Sequence, residues 1–153
     1  MKKLIKNKIV IDTGALLEYF KLVVDSHHNK LNKENQDRLI LFLELFKGRE
    51  LIIVPQVLAE IYSLLKREAK GSESRIQHWL EILENPHFKS LLEKYIPKEE
   101  ILKENKYMDF GFTDIALMKS INANNFLLTI DFPLIQFCRY NGLEAYHVEE
   151  ILF

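Results

Sequence analysis

The sequence predicts a single α/β domain over residues 1–153, with a central parallel sheet flanked by helices on both faces. Two patterns and a length predict it. The apolar runs Ile9–Ile11, Leu51–Val54 and Phe126–Ile130 are continuous, as in strands buried on both faces, not alternating as in strands with one face in water. Between them lie segments whose apolar residues recur at helical spacing, the βα alternation of a parallel sheet. A chain of 153 residues suffices for one domain with a real core and is short for two.

The elements follow in order. Lys8-Ile9-Val10-Ile11-Asp12 is a β-branched run closed by an acid, and Thr13-Gly14 turns into a helix carrying Ala15, Leu16, Leu17, Tyr19 and Phe20. The polar stretch 25–33 predicts a loop. From Asn35 to Lys47, Leu39, Ile40, Leu43 and Phe46 form a helical stripe stopped by Gly48. Leu51–Val54 is a second strand, and Pro55 opens a helix to about Lys70, broken by Gly71-Ser72. Ile76, Trp79, Leu80 and Leu83 outline a fourth helix stopped near Pro86. Residues 87–108 predict two short helical pieces separated by Pro97. Thr113 has the character of an N-cap for a helix over 114–121. Phe126–Asp131 is a third strand ended by an acid, Pro133 begins a helix ending at Asn141-Gly142, and residues 144–148 predict a last edge strand.

Composition narrows the function classes. Apolar residues make up 48% and charged residues 28%, a globular balance that excludes a disordered chain. No apolar run approaches the roughly 20 residues needed to span a bilayer. The basic N-terminus lacks the apolar core and cleavage site of a signal peptide. The single cysteine, Cys138, can form no internal disulfide, so a cytoplasmic location is expected. A net charge of −1 argues mildly against a nucleic-acid binder, although a metal-charged site recruits phosphate without a basic surface.

Chemistry concentrates in four acids. Asp12 and Asp131 end two buried strands, and ligands of parallel sheets bind outside strand carboxyl ends. On neighbouring strands, about 4.8 Å apart, their carboxylates would share one ion. A bound cation would keep both ionised, whereas unshielded like charges raise one pKa. Each Asp alone is equally a turn or cap residue. Asp114, in the first turn of its helix, is favoured there by the helix dipole whatever its role. Glu60 lies at the edge of the stripe formed by Val57, Ile61, Leu64 and Leu65, with Glu68 nearer the stripe's centre.

Together these segments resemble a known family. Ile9-Val10-Ile11-Asp12-Thr13-Gly14-Ala15-Leu16-Leu17, Val54-Pro55-Gln56-Val57-Leu58-Ala59-Glu60-Ile61, Gly111-Phe112-Thr113-Asp114-Ile115-Ala116-Leu117 and Leu127-Leu128-Thr129-Ile130-Asp131 are similar in order and spacing to the PIN-domain ribonucleases, which include VapC-type toxins of toxin–antitoxin pairs. The resemblance runs from about Ile9 to Ile151. It implies a Mg²⁺- or Mn²⁺-dependent ribonuclease whose catalytic and metal-binding acids fall on Asp12, Glu60, Asp114 and Asp131, with Thr13 and Thr129 orienting them. Gly14 departs from the small polar residue common there, and Asp109 competes with Asp114 as the third acid. The donor set agrees with this independently, since oxygen ligands without a His/Cys cluster select hard cations over zinc. RNA as substrate, a homodimer through the apolar faces around Tyr62 and Trp79, and an antitoxin segment able to plug the acidic cleft are the implied partners.

Other readings are weaker. A PIN-like nuclease that processes RNA without being a toxin fits the same residues. A catalytically silent PIN-like binding module fits less well, because clustered carboxylates without a cation only destabilise. Asp12-Thr13-Gly14-Ala15 also resembles the active-site tetrapeptide of retroviral-type aspartic proteases, but those are all-β proteins and this chain is rich in helical periodicity. His27-His28 reads as surface, Tyr62 and Trp79 as core or contact residues more than base-stacking platforms, and Lys66, Arg67, Lys119 and Arg139 as either an RNA rim or solvated helix faces.

Overall fold

A computed structural model describes residues 6–68, 72–84, 91–104 and 109–153, apart from the side chains of Arg75, Trp79, Ile82 and Leu83. It has an all-parallel sheet of β1 (Lys8–Ile11), β2 (Glu50–Ile53), β3 (Leu91–Glu93), β4 (Asn125–Thr129) and β5 (Ala145–His147) in the order β3-β2-β1-β4-β5. Eight helices among the described residues surround it: α1 (Thr13–His27), α2 (Lys33–Phe46), α3 (Pro55–Glu68), α4 (Glu73–Leu83), α5 (Lys98–Lys103), α6 (Phe112–Ser120), α7 (Phe132–Tyr140) and α8 (Val148–Leu152). This is the α/β architecture expected. No helix of the described residues is long and apolar enough to cross a membrane.

The continuous apolar strands have the expected cause. Successive side chains of a strand point to opposite faces, yet Ile9, Val10 and Ile11 in β1 and Phe126, Leu127 and Leu128 in β4 are all fully buried. Both faces of the sheet's centre are therefore covered. Helix α1 packs on α2, α3 and β4, while α3 meets α4 and α6. Tyr19, Phe42 and Phe46 form an aromatic cluster between α1 and α2, and Arg38 of α2 ties Glu18 of α1 to Glu149 of α8.

Boundaries follow local chemistry. Asn32 caps α2 by accepting from the Asn35 N–H at 2.8 Å, a contact worth about 1 kcal/mol. Gly48 and Gly142, just past α2 and α7, have φ of +71° and +73°, which a residue with a Cβ adopts only at a cost. Three expectations need correction. Helix α1 continues to His27 and α2 begins at Lys33, so only residues 28–32 of the expected 25–33 loop are non-helical. The segment before Pro97 contributes a strand, β3, at the sheet edge instead of a helix; its bonds go to β2, with the Lys94 N–H reaching the Ile53 carbonyl at 2.8 Å. Thr113 is not a cap: α6 begins at Phe112 after Gly111, without a side-chain cap. The expected helix break at Gly71, stop at Pro86 and start of the 87–108 segment lie outside the described residues.

Candidate active site

The strand order places a switch point beside β1. From β1 the chain adds β2 and β3 on one side, then returns to add β4 and β5 on the other. Connections leave the carboxyl ends of β1 and β4 in opposite directions, and the crevice between them is where open parallel sheets bind ligands. Both strand-end acids border it. Ile11 pairs with Leu128, and the Asp12 N–H donates to the Leu128 carbonyl at 3.0 Å, so the two strands are neighbours.

Asp12 and Asp131 prove to be helix caps and members of one cluster at the same time. Asp12 precedes α1; one carboxylate oxygen accepts from the Thr13 N–H at 2.6 Å and the other from the Thr129 hydroxyl at 2.7 Å. Asp131 precedes α7 and accepts from the Leu134 N–H at 3.1 Å. Thr129 joins the two, because its hydroxyl also accepts from the Asp131 N–H at 3.1 Å. Glu60, on α3, bridges the starts of α1 and α6: the Thr13 hydroxyl donates to one carboxylate oxygen at 2.6 Å, and the Thr113 hydroxyl to the other. Thr113 is the site residue sequence reasoning missed. Its signal was its place beside Asp114, mirroring Thr13 beside Asp12.

Gly14 has a steric reason. A Cβ there would come within 2.6 Å of Ile130 Cδ1, so the Ile130 side chain fills the place that a larger residue at 14 would need.

The acids influence one another. Asp12 is 9% exposed, and burial pushes its carboxyl above the ordinary value. The Thr129 and Thr13 hydrogen bonds oppose that shift, and the charges of Glu60 and Asp131 add to it. The half-buried Asp114 carboxyl is pushed up to about 6, first by burial, then by the charges of Asp12, Asp131 and Glu60. Asp109 is exposed in the preceding turn and is not among the causes of either shift. The fold thus brings Asp12, Glu60, Asp114 and Asp131 into one electrostatic unit.

The donor chemistry fits a hard divalent cation: four carboxylates, each oxygen able to accept more than one bond. The spacing is looser. Among the described residues no three His, Cys, Asp or Glu side chains stand at coordination distance. Asp12 and Glu60 each have both oxygens engaged by hydroxyl or N–H donors, which hold the carboxylates around the crevice without closing them on a point.

Other candidates fall elsewhere. Lys119 pairs with Glu104 and Arg139 with Glu150. Lys66 and Arg67 are exposed in the last turn of α3, about 10 Å along the axis from Glu60. His27 and His28 are exposed as expected, but α4 brings His78 beside them, with ring centroids 6.3 and 5.5 Å away. Burial pushes the Cys138 thiol up to about 12, so it is an inert core residue. Tyr62 is 48% exposed and is not a core residue, and the Trp79 side chain lies outside the described residues.

No family model matches the chain, and no curated protein matches it in sequence. Two solved structures are similar in chain path. One is a domain of a functionally unknown protein from Methanocaldococcus jannaschii DSM 2661, at 18% identity and a TM-score of 0.47, covering 92% of this chain and 90% of that one. The other is a PilT N-terminus domain protein from the hyperthermophilic archaeon Sulfolobus solfataricus P2, at 12% identity and a TM-score of 0.44, covering 95% of this chain and 90% of that one. Neither likeness bears on what the site does.

Proposed function

We propose that the protein is a Mg²⁺- or Mn²⁺-dependent ribonuclease of PIN-domain type, hydrolysing RNA phosphodiester bonds at Asp12, Glu60, Asp114 and Asp131. One observation carries the reading: at the sheet's switch point the Thr13, Thr113 and Thr129 hydroxyls tie Glu60 and Asp12 to the segments that carry Asp114 and Asp131, and the charges of the other three acids add to burial in raising the Asp114 carboxyl. Structural ion pairs join opposite charges, whereas gathering like charges costs stability and points to a bound cation.

Asp12, Asp114 and Asp131 would hold one or two cations, with Glu60 as the fourth carboxylate. Bound there, such an ion polarises the phosphate and lowers the pKa of the attacking water. Glu60, held by the Thr13 and Thr113 hydroxyls, is oriented to take that water's proton. Thr129 fixes Asp12 directly and the Asp131 backbone at the same time. Attack on phosphorus then breaks the bond to the leaving ribose oxygen, which takes up a proton.

The test is incubation of single-stranded and structured RNA with Mn²⁺, Mg²⁺ or chelator. Cleavage is expected with either ion and none in chelator. Undiminished cleavage in chelator overturns the metal dependence, and no cleavage of any RNA under all conditions leaves the silent binding module in its place.

The finer reading is the toxin of a toxin–antitoxin pair, acting in the cytoplasm as a homodimer, with an antitoxin segment plugging the acidic cleft. Its support is the VapC-like order of the four motifs, together with an apolar groove lined by Pro55, Leu58, Ala59, Tyr62, Leu65 and Leu80, where Tyr62 is 48% and Leu80 41% exposed. Light scattering should give twice the chain mass, and Tyr62→Glu should return the monomer. A wild-type monomer at high concentration overturns the dimer.

A further inference from the structure

Phe132 follows Asp131 directly and is 59% exposed. A single exposed aromatic is ordinary on a protein surface, but this one has a stacked neighbour behind it. Its ring stacks on that of His147, with centroids 4.3 Å apart and planes 8° from parallel. His147 is itself fixed. It is 9% exposed, its Nδ1 accepts from the Glu149 N–H at 3.1 Å, and its backbone N–H donates to Glu150 at 2.9 Å in the capping box of α8. The β4–β5 register pairs Thr129 with His147, so the two rings stand at the same carboxyl edge as the acids, one strand beyond the β1/β4 crevice.

We propose that Phe132, backed by His147, is a stacking platform for the base adjoining the phosphate held at the acid cluster. The inference rests on the ribonuclease reading above. A base reaches an aromatic ring only when it has left its own stack, which selects single strands over duplex. A ring with a stacked neighbour behind it loses less freedom on binding, so more of the contact energy becomes affinity. With a net charge of −1 and Arg139 and Lys119 tied in ion pairs, general phosphate attraction is weak, and stacking carries a larger share of RNA recognition. Every base has a π face, so the platform sets strandedness and not sequence.

The test is titration of the protein into a single-stranded oligoribonucleotide carrying 2-aminopurine, and into its duplex, with Ca²⁺ as the probe cation and strand integrity checked on a gel. Wild type should quench the fluorophore and bind the single strand about tenfold tighter than the duplex. Phe132→Leu, which keeps an apolar side chain over His147 but no aromatic face, should lose the quench and about tenfold in affinity. Phe132→Trp should keep both. Equal affinity for duplex and single strand, or an unchanged quench in Phe132→Leu, overturns the platform. If wild type cleaves single strands with Mn²⁺ and Phe132→Leu has the same KM, the platform alone fails. If wild type neither binds nor cleaves any RNA, the ribonuclease reading fails and the platform with it.

Discussion

Asp12→Asn should lower Mn²⁺-dependent RNA cleavage by about a thousandfold, the equivalent of about 4 kcal/mol of transition-state stabilisation, while leaving the protein folded. The activity loss is large because Asp12 is the most buried of the four acids and lies centrally at the crevice, on the strand that pairs with both β2 and β4. The fold survives because the substitution keeps the hydrogen bonds. An Asn Oδ1 still accepts from the Thr13 N–H, and its Nδ2 donates to the Thr129 hydroxyl, which reverses its role and accepts. The change also removes a charge whose burial raises the carboxyl's pKa, so the chelated variant should melt at or above the wild-type temperature. Cleavage assays and circular-dichroism melts check both halves. Wild-type activity in the variant sinks the mechanism, and a melting temperature well below wild type shows that Asp12 is chiefly a structural cap.

The two strand-end acids were legible because their signal is local. A short apolar run followed within a few residues by an acid can be a buried strand leaving the sheet at its carboxyl end: Ile9–Ile11 of β1 precede Asp12 directly, and Phe126–Leu128 of β4 precede Asp131 by three residues. Glu60 was much less so. Apolar periodicity put Glu68 nearer the stripe's centre, yet Glu68 pairs with Lys21 at 2.7 Å while Glu60 reaches Thr13 and Thr113. Which edge of a helical stripe faces a cleft depends on the neighbouring helices, here α1 and α6, and a helix's own sequence does not record it. Helix α6 shows the limit from the other side: Ile115, Ala116, Leu117 and Met118 are all buried, so no single stripe marks its inner face. Strand β3 is three residues at the edge, half-buried or exposed, too short to show a period. The Phe132–His147 stack joins residues that only the β4–β5 register brings together.

The metal itself should be visible in the stability of the protein, with no substrate present. In chelator the cluster imposes a penalty whose sign follows from the raised carboxyls. Asp114 moves from 3.8 to about 6 on folding, so the folded state binds its proton more tightly than the unfolded one. The penalty is absent below pH 4, grows from about 4 to 6 and is complete above that. Glu149 and Glu150 pull the other way, because Arg38 and the His147 N–H lower their pKa values on folding. The cluster's share is therefore read as the difference between wild type and Asp114→Asn: the variant should gain on wild type as pH rises from 4 to 6. A divalent cation bound only by the native state removes the penalty and adds RT ln(1 + [L]/Kd), about 2.7 kcal/mol at 100 times Kd, or roughly 5–10 °C for a chain of this size. Wild type should show that rise with Mn²⁺ at pH 7. Asp131→Asn and Asp114→Asn should blunt it, and Asp109→Asn, whose side chain is exposed in the preceding turn, should keep it in full. Loss of the response in Asp109→Asn with retention in Asp114→Asn would make Asp109 the third ligand. A wild type indifferent to Mn²⁺ would leave four acids gathered at a strand edge with no cation to balance them, and the metal site would have to be abandoned.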